Sequence, residues 1–163
     1  MGLTRTPNHG LHGSIIYDTM LNMRLRVVLD SNVLIAGLRS RTGASFRLLE
    51  LLRAGDYDIA VSVPLVLEYE AVLVRHANDL GLTSADVGTI LNFVCSVAVR
   101  QNIHYLWRPQ LRDPKDEFVL ELAVAGNCRA IVTHNRRDFV GAERLGIEIL
   151  TPGQFLGLLE EVT

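Results

Sequence analysis

The chain has 163 residues, 48% of them hydrophobic and 21% charged, with a formal charge of −2. That profile fits one globular domain of ordinary size and excludes a disordered polar chain. It also excludes a protein that coats nucleic acid through bulk positive charge, although arginines gather locally at Arg39 and Arg41, at Arg108 and Arg112, and at Arg136 and Arg137.

Residues 1–23 have mixed composition and no sustained period, so they read as an N-terminal tail or extension, with the domain proper expected over 24–163. The tail lacks the apolar core of a secretion signal. No apolar run approaches the roughly 18–20 residues of a membrane helix. A cytoplasmic protein with no membrane partner is therefore expected. Cys95 and Cys128 sit in apolar helix-like stretches with no close spacing and read as reduced core thiols.

Short apolar runs fall at Val27–Leu29, Asp58–Val61, Ala130–Val132 and Ile147–Leu150, with a weaker one near Ile103–Leu106. Helical patterns separate them. Ser45–Ala54 is apolar at positions 46, 48, 49, 51 and 52 and stops at Gly55, a C-terminal cap. Leu65, Val66, Tyr69, Val72 and Leu73 keep a helical period after Pro64. Thr83 with Asp86 three residues on is close to a capping box. Phe118–Ala125 and Gln154–Leu159 complete the set. Strands alternating with helices predict a three-layer α/β/α sandwich around a mostly parallel sheet of about five strands.

In open parallel sheets, ligands bind beyond the carboxyl ends of the strands. Here those ends are polar: Asp30-Ser31-Asn32, Ser62, and Thr133-His134-Asn135. Two helices can add carboxylates. Pro114 at a first helical position makes Asp113 an N-cap and sets Asp116 on the same face as the core residues Val119, Leu120 and Ala123. In the helix after Ser62, Glu68 and Glu70 flank the apolar stripe on opposite borders, and periodicity does not choose between them. Each position has a plain structural reading. Asp113, Asp116 and Asp30 can cap helices, Glu68 can face solvent, and Thr133 with Asn135 can form a turn. Together they can converge. Three close carboxylates repel unless a cation or proton intervenes, and oxygen-only donors favour Mg²⁺ or Mn²⁺.

In order and spacing these segments resemble the PIN-domain family, in particular the PIN toxins of prokaryotic toxin–antitoxin systems. VVLDSNVLI is similar to the family's first strand with its acidic Asp30, and SVPLVLEYEAVL to its second acidic segment, with the match on Glu68. DPKDEFVLELAVAGNCRAIVTHNRRDF resembles the third and fourth segments, with Asp116 and Asn135 in the matching positions. The fourth position is often Asp, so Asn135 is a departure, and Asp113 and Asp138 are nearby carboxylates that could assist. The resemblance implies a Mg²⁺- or Mn²⁺-dependent ribonuclease acting on single-stranded RNA. Its metal ligands would be Asp30, Glu68 and Asp116, and its fourth catalytic position Asn135. Ser31, Asn32, Thr133, Asp113 and Arg136 would support the site or the substrate. An antitoxin partner and a homodimer are implied as well. Two other readings compete. One is a non-catalytic PIN-like module that binds RNA or protein. The other is an α/β phosphotransfer domain, whose phosphatase form wants a second Asp where this chain has Asn32.

Overall fold

The structure is a computed structural model that describes residues 24–103 and 111–162. Five strands form one sheet: β1 (Arg26–Leu29), β2 (Asp58–Val61), β3 (Val99–Arg100), β4 (Ala130–Val132) and β5 (Glu148–Leu150). The helices between and after them are α1 (Ser31–Arg39), α2 (Ala44–Ala54), α3 (Val63–Leu80), α4 (Ser84–Val97), α5 (Pro114–Ala125) and α6 (Pro152–Val162), with short 3₁₀ turns at Arg136–Phe139 and Ala142–Leu145.

All neighbouring strands pair in parallel, in the order β3-β2-β1-β4-β5. Parallel strands covered on both faces should be apolar throughout. Val27, Val28, Leu29, Ala130, Ile131 and Val132 are indeed all buried. Helix α5 packs on β1, β2 and β4. Elsewhere α1 packs on α2 and α3, α3 on α4, and α2 on α6. The close approach of α1 to α2 depends on Gly37, where a Cβ would stand 2.6 Å from Leu49 Cδ1.

Helix ends follow the local chemistry. Gly55 and Gly81 close α2 and α3 in the left-handed conformation, at φ 84° and 65°. Thr83 and Asp86 form the full capping box of α4. Cys95 and Cys128 are free thiols, and burial pushes the Cys128 thiol up to about 12. Two expectations need correction. The third strand in chain order is Val99–Arg100, directly after α4, whereas the run near Ile103–Leu106 falls mostly outside the described residues. Helix α6 also begins earlier than its apolar pattern suggested, at Pro152, whereas α5 begins at Pro114 as its proline indicates. Residues 1–23 likewise lie outside the described residues. Among the described residues no helix is long and apolar enough to cross a membrane.

Candidate active site

From β1 the chain steps outward to β2 and β3, then returns to the other side of β1 for β4 and β5. The order therefore reverses between β1 and β4, where an open parallel sheet leaves a crevice beyond its carboxyl ends. The register pairs Leu29 with Val132, and the ladder continues one step as the Asp30 N–H donates to the Val132 carbonyl at 2.9 Å. Asp30 and Thr133 are thus brought side by side by strand pairing alone.

The Thr133 side chain is fully buried, and its hydroxyl donates to Asp30 Oδ2 at 2.6 Å. The Asn32 amide donates to the same oxygen at 2.8 Å and to Thr133 Oγ at 3.2 Å. Asn32 Oδ1 accepts the His134 N–H at 3.2 Å, and Thr133 Oγ accepts the Asn135 N–H at 2.9 Å. Asp30 occupies the N-cap position of α1 yet makes no side-chain cap bond. Its charge is met by neutral donors, and among the described residues no Arg, Lys or His pairs with it. Burial raises its pKa and Asp138 adds to the rise, while Thr133, the Ser31 backbone and Asn32 oppose it.

Helix α3 contributes Glu68, half-buried, whose Oε1 accepts the Ser31 hydroxyl at 2.6 Å. Glu70, two residues on, is exposed. Between them Tyr69 is buried, and its hydroxyl donates to the Leu29 carbonyl at 2.5 Å, tying α3 to the residue before Asp30. Sequence reasoning took Tyr69 only as core; its place beside Glu68 was the available signal. Ser62, which follows β2 and stands at the N-cap of α3, is also buried and its hydroxyl has no partner among the described residues. Continuing the β1–β2 register places it beside Asp30.

Helix α5 brings the third carboxylate. Its first turn closes with the Asp116 N–H on the Asp113 carbonyl at 3.1 Å, as a helix begun by Pro114 should. The Asp116 carboxyl is pushed up to about 6, chiefly by burial and then by the like charges of Asp138, Asp30, Asp113 and Glu68. Five carboxylates thus share one electrostatic neighbourhood. Asp138 stands first among the charges acting on both Asp30 and Asp116, and Asn135 has an exposed side chain. Asp138 lies on the 3₁₀ turn next to Phe139, which is fully buried. Arg136 is exposed on the same turn. Arg112, Asp113, Arg137 and Asp138 line a cleft of about 470 Å³. Behind the site, Ser45 on α2 shares a 2.9 Å hydrogen bond with His134 Nε2, a link the sequence did not announce.

A model of the PIN domain matches residues 26–137 of this chain, more than half of it. The chain belongs to the PIN domain family. Among solved structures it is similar to VapBC2 from Rickettsia felis, determined bound to a DNA fragment from the promoter of the pair. There it shares 15% identity over 78% of this chain and 98% of that one, with a TM-score of 0.52. That likeness speaks for the fold. No curated protein matches the chain.

In this PIN domain the donor set around Asp30 consists of oxygens, which suits a hard divalent ion. Among the described residues no three His, Cys, Asp or Glu side chains are gathered tightly enough to hold an ion as they stand. A Mg²⁺ ion asks for less, since it keeps several waters and is bound through one or two carboxylates. Asp30 and Asp116 are two carboxylates close enough for one charge to act on the other, and the residue next to Asp30 in the continued β1–β2 register, Ser62, carries an orphan hydroxyl.

Proposed function

We propose that this PIN domain is a Mg²⁺- or Mn²⁺-dependent endoribonuclease that hydrolyses phosphodiester bonds of single-stranded RNA. One observation carries the reading. Asp30 is held at the switch point by neutral donors, with Asp116, Asp138, Asp113 and Glu68 about it and no cation paired to it among the described residues. Such an arrangement costs stability unless a cation joins it.

The roles follow from the partners. Thr133 and Asn32 fix the Asp30 rotamer, and Asp30 with Asp116 would hold the ion. When bound, the ion lowers the pKa of a coordinated water and stabilises charge on the scissile phosphate. Glu68, steadied by Ser31, orients the attacking water. Asp138 supplies the fourth carboxylate, with Asp113 beside it. Asn135 and Arg136, exposed on the following turn, face the phosphate oxygens. Water attacking in line leaves a 5′-phosphate and a 3′-hydroxyl. Membership of the PIN family supports this reading over a phosphotransfer domain. A binding-only module has no use for carboxylates gathered at the strand ends.

We further propose that the protein is the toxin of a toxin–antitoxin pair, a reading supported by its likeness to VapBC2. An apolar groove of about 590 Å³ between α1, α2 and α4, lined by Leu34, Leu38, Phe46, Leu49, Ile90 and Phe93, suits an amphipathic segment of the antitoxin. A homodimer would use the exposed stripe of Val63, Leu67 and Val74 along α3. The test of the central reading is direct. The purified protein should cleave single-stranded RNA with Mn²⁺ and stop with EDTA. RNA binding with no cleavage at any Mn²⁺ or Mg²⁺ concentration would leave the binding module instead.

A further inference from the structure

A second groove touches the site from another flank. It has a volume of about 250 Å³ and lies between α1 and α3, lined by Ser31, Asn32, Ile35, Ala36, Arg39, Val72 and His76. Two of these residues belong to the carboxylate site: Ser31 bonds Glu68 and Asn32 bonds Asp30. Their donors are already engaged. The groups left to meet a ligand are Arg39 and His76. Arg39 ends α1, is exposed, and makes no ion pair among the described residues. His76 has Nδ1 3.7 Å from Asp79 and offers its second ring nitrogen. The floor is small and aliphatic, from Ile35, Ala36 and Val72, with no aromatic face on which a base could stack.

We propose that this groove is a nucleotide subsite in which Arg39 and His76 grip the phosphate–ribose unit adjoining the scissile phosphate of a bound single-stranded RNA. The proposal rests on the nuclease reading and names where its substrate lies. Three features support it. The groove shares walls with the carboxylate site, so a chain whose phosphate sits at Asp30 must send a neighbouring nucleotide across one of the adjoining grooves. Its volume is that of a small unit. Its cationic wall favours an anion, and guanidinium suits phosphate oxygens better than any other side chain. The Arg112–Arg137 cleft, which reaches the site through Asp113 and Asp138, takes the strand on the other flank. Arg39 and His76 are positioning residues; neither touches the reacting atoms.

The test uses the full chain, a fluorescein-labelled single-stranded RNA of mixed sequence, and Mn²⁺. Arg39→Ala and His76→Ala should each raise KM about tenfold, the loss of about 1.4 kcal/mol of binding, with kcat within about twofold. Arg39→Lys should recover part of the loss. Binding is read separately by anisotropy in an Asp116→Asn background. There Arg39→Ala should weaken affinity and lower the slope of log affinity against log salt by about 0.7, the share of one single-strand phosphate contact. Arg144→Ala, which removes an exposed charge of the same sign elsewhere, is the control and should change neither quantity. If the wild type cleaves and both groove variants keep its KM, the subsite is wrong and the nuclease reading stands. An equal loss in Arg144→Ala overturns the subsite in favour of bulk charge. If the wild type binds RNA without cutting it, the nuclease reading fails and the anisotropy comparison still decides the subsite. Absence of RNA binding in every form overturns both.

Discussion

Asp116→Asn probes the carboxylate cluster without any substrate. In the metal-free wild type the Asp116 carboxyl sits at about 6, against an ordinary value of 3.8. A carboxyl raised on folding makes the ionised folded state the disfavoured one. The penalty is therefore absent below the unfolded value near 4, grows between about 4 and 6, and is complete above about 6. The shift is about 2.2 units, 6 minus 3.8, which is about 3 kcal/mol if nothing screens it. Asp116 is partly exposed, so about 1–2 kcal/mol is the expected size after solvent screening. In a domain of this length that is a few degrees in melting temperature. Asparagine has the same shape and cannot ionise. In EDTA, Asp116→Asn should match the wild type near pH 4 and melt a few degrees higher at pH 7.5.

The difference between the two proteins isolates the Asp116 charge and its coupling to Asp138, Asp30, Asp113 and Glu68, because titrating groups away from the cluster cancel. Asp86, for one, is shifted in the opposite direction by its bonds to Thr83, and it is present in both. Saturating Mn²⁺ should then invert the order at pH 7.5. At a hundredfold excess over the dissociation constant it stabilises the wild type by about 2.7 kcal/mol, and it does much less for the variant. An ordinary N-terminal carboxylate predicts the reverse. Its interaction with the helix dipole is favourable by about 0.3–1 kcal/mol, so the variant would melt lower in EDTA. Thermal melts across pH, with EDTA and with Mn²⁺, decide between these. A variant that melts below the wild type in EDTA at pH 7.5, with no Mn²⁺ response in either protein, refutes the electrostatic argument.

Asp30→Asn and Asp138→Asn should each cut RNA cleavage by at least about 100-fold, more than loss of outer support commonly costs, whereas Glu70→Gln, which faces solvent, should stay near wild type in the same assay. Thr133→Val removes the buried hydroxyl that donates to Asp30 at 2.6 Å, and should cost about 1–3 kcal/mol by urea unfolding. Leu67→Glu on the exposed stripe of α3 should convert a dimer to a monomer in light scattering without lowering the melting temperature of the monomer; an unchanged mass would place the dimer contact elsewhere.

Most of the fold is legible in the sequence because its central strands are short, apolar at their carboxyl ends and followed by polar residues. Arg26–Leu29, Asp58–Val61 and Ala130–Val132 stand within a residue of the runs that predict them. The edge strand Val99–Arg100 is not legible. It follows α4 after a single residue and spans only two, so the helical pattern absorbs it. The site divides in the same way. Asp30 and Thr133 can be read from strand ends, because parallel pairing makes those ends neighbours. Glu68 cannot be separated from Glu70, since both border one stripe; what distinguishes them is the contact of Glu68 with Ser31 on another helix. The weight carried by Asp138 relative to Asn135 is also hidden. A single 3₁₀ turn has no repeating period from which to read which of its side chains lies near the other carboxylates.

The choice of partners for Asp30 bears on what the crevice is for. A carboxylate at a central strand end can be satisfied in two ways. An arginine or lysine beside it would neutralise it permanently, and the site would then be closed to any other cation. A hydroxyl and an amide hold the same oxygen in place and leave its charge standing. Thr133 and Asn32 do the second. They are themselves fixed, Thr133 by burial and Asn32 by the His134 N–H, so the carboxylate is oriented without being neutralised. Asp116, Asp138, Asp113 and Glu68 then raise the negative charge further, against the interest of the metal-free fold. Local consistency is what folding favours, and departures from it gather where function requires them. The departure here falls at the one crevice where the strand order reverses, which is the place in such a sheet where a ligand is expected.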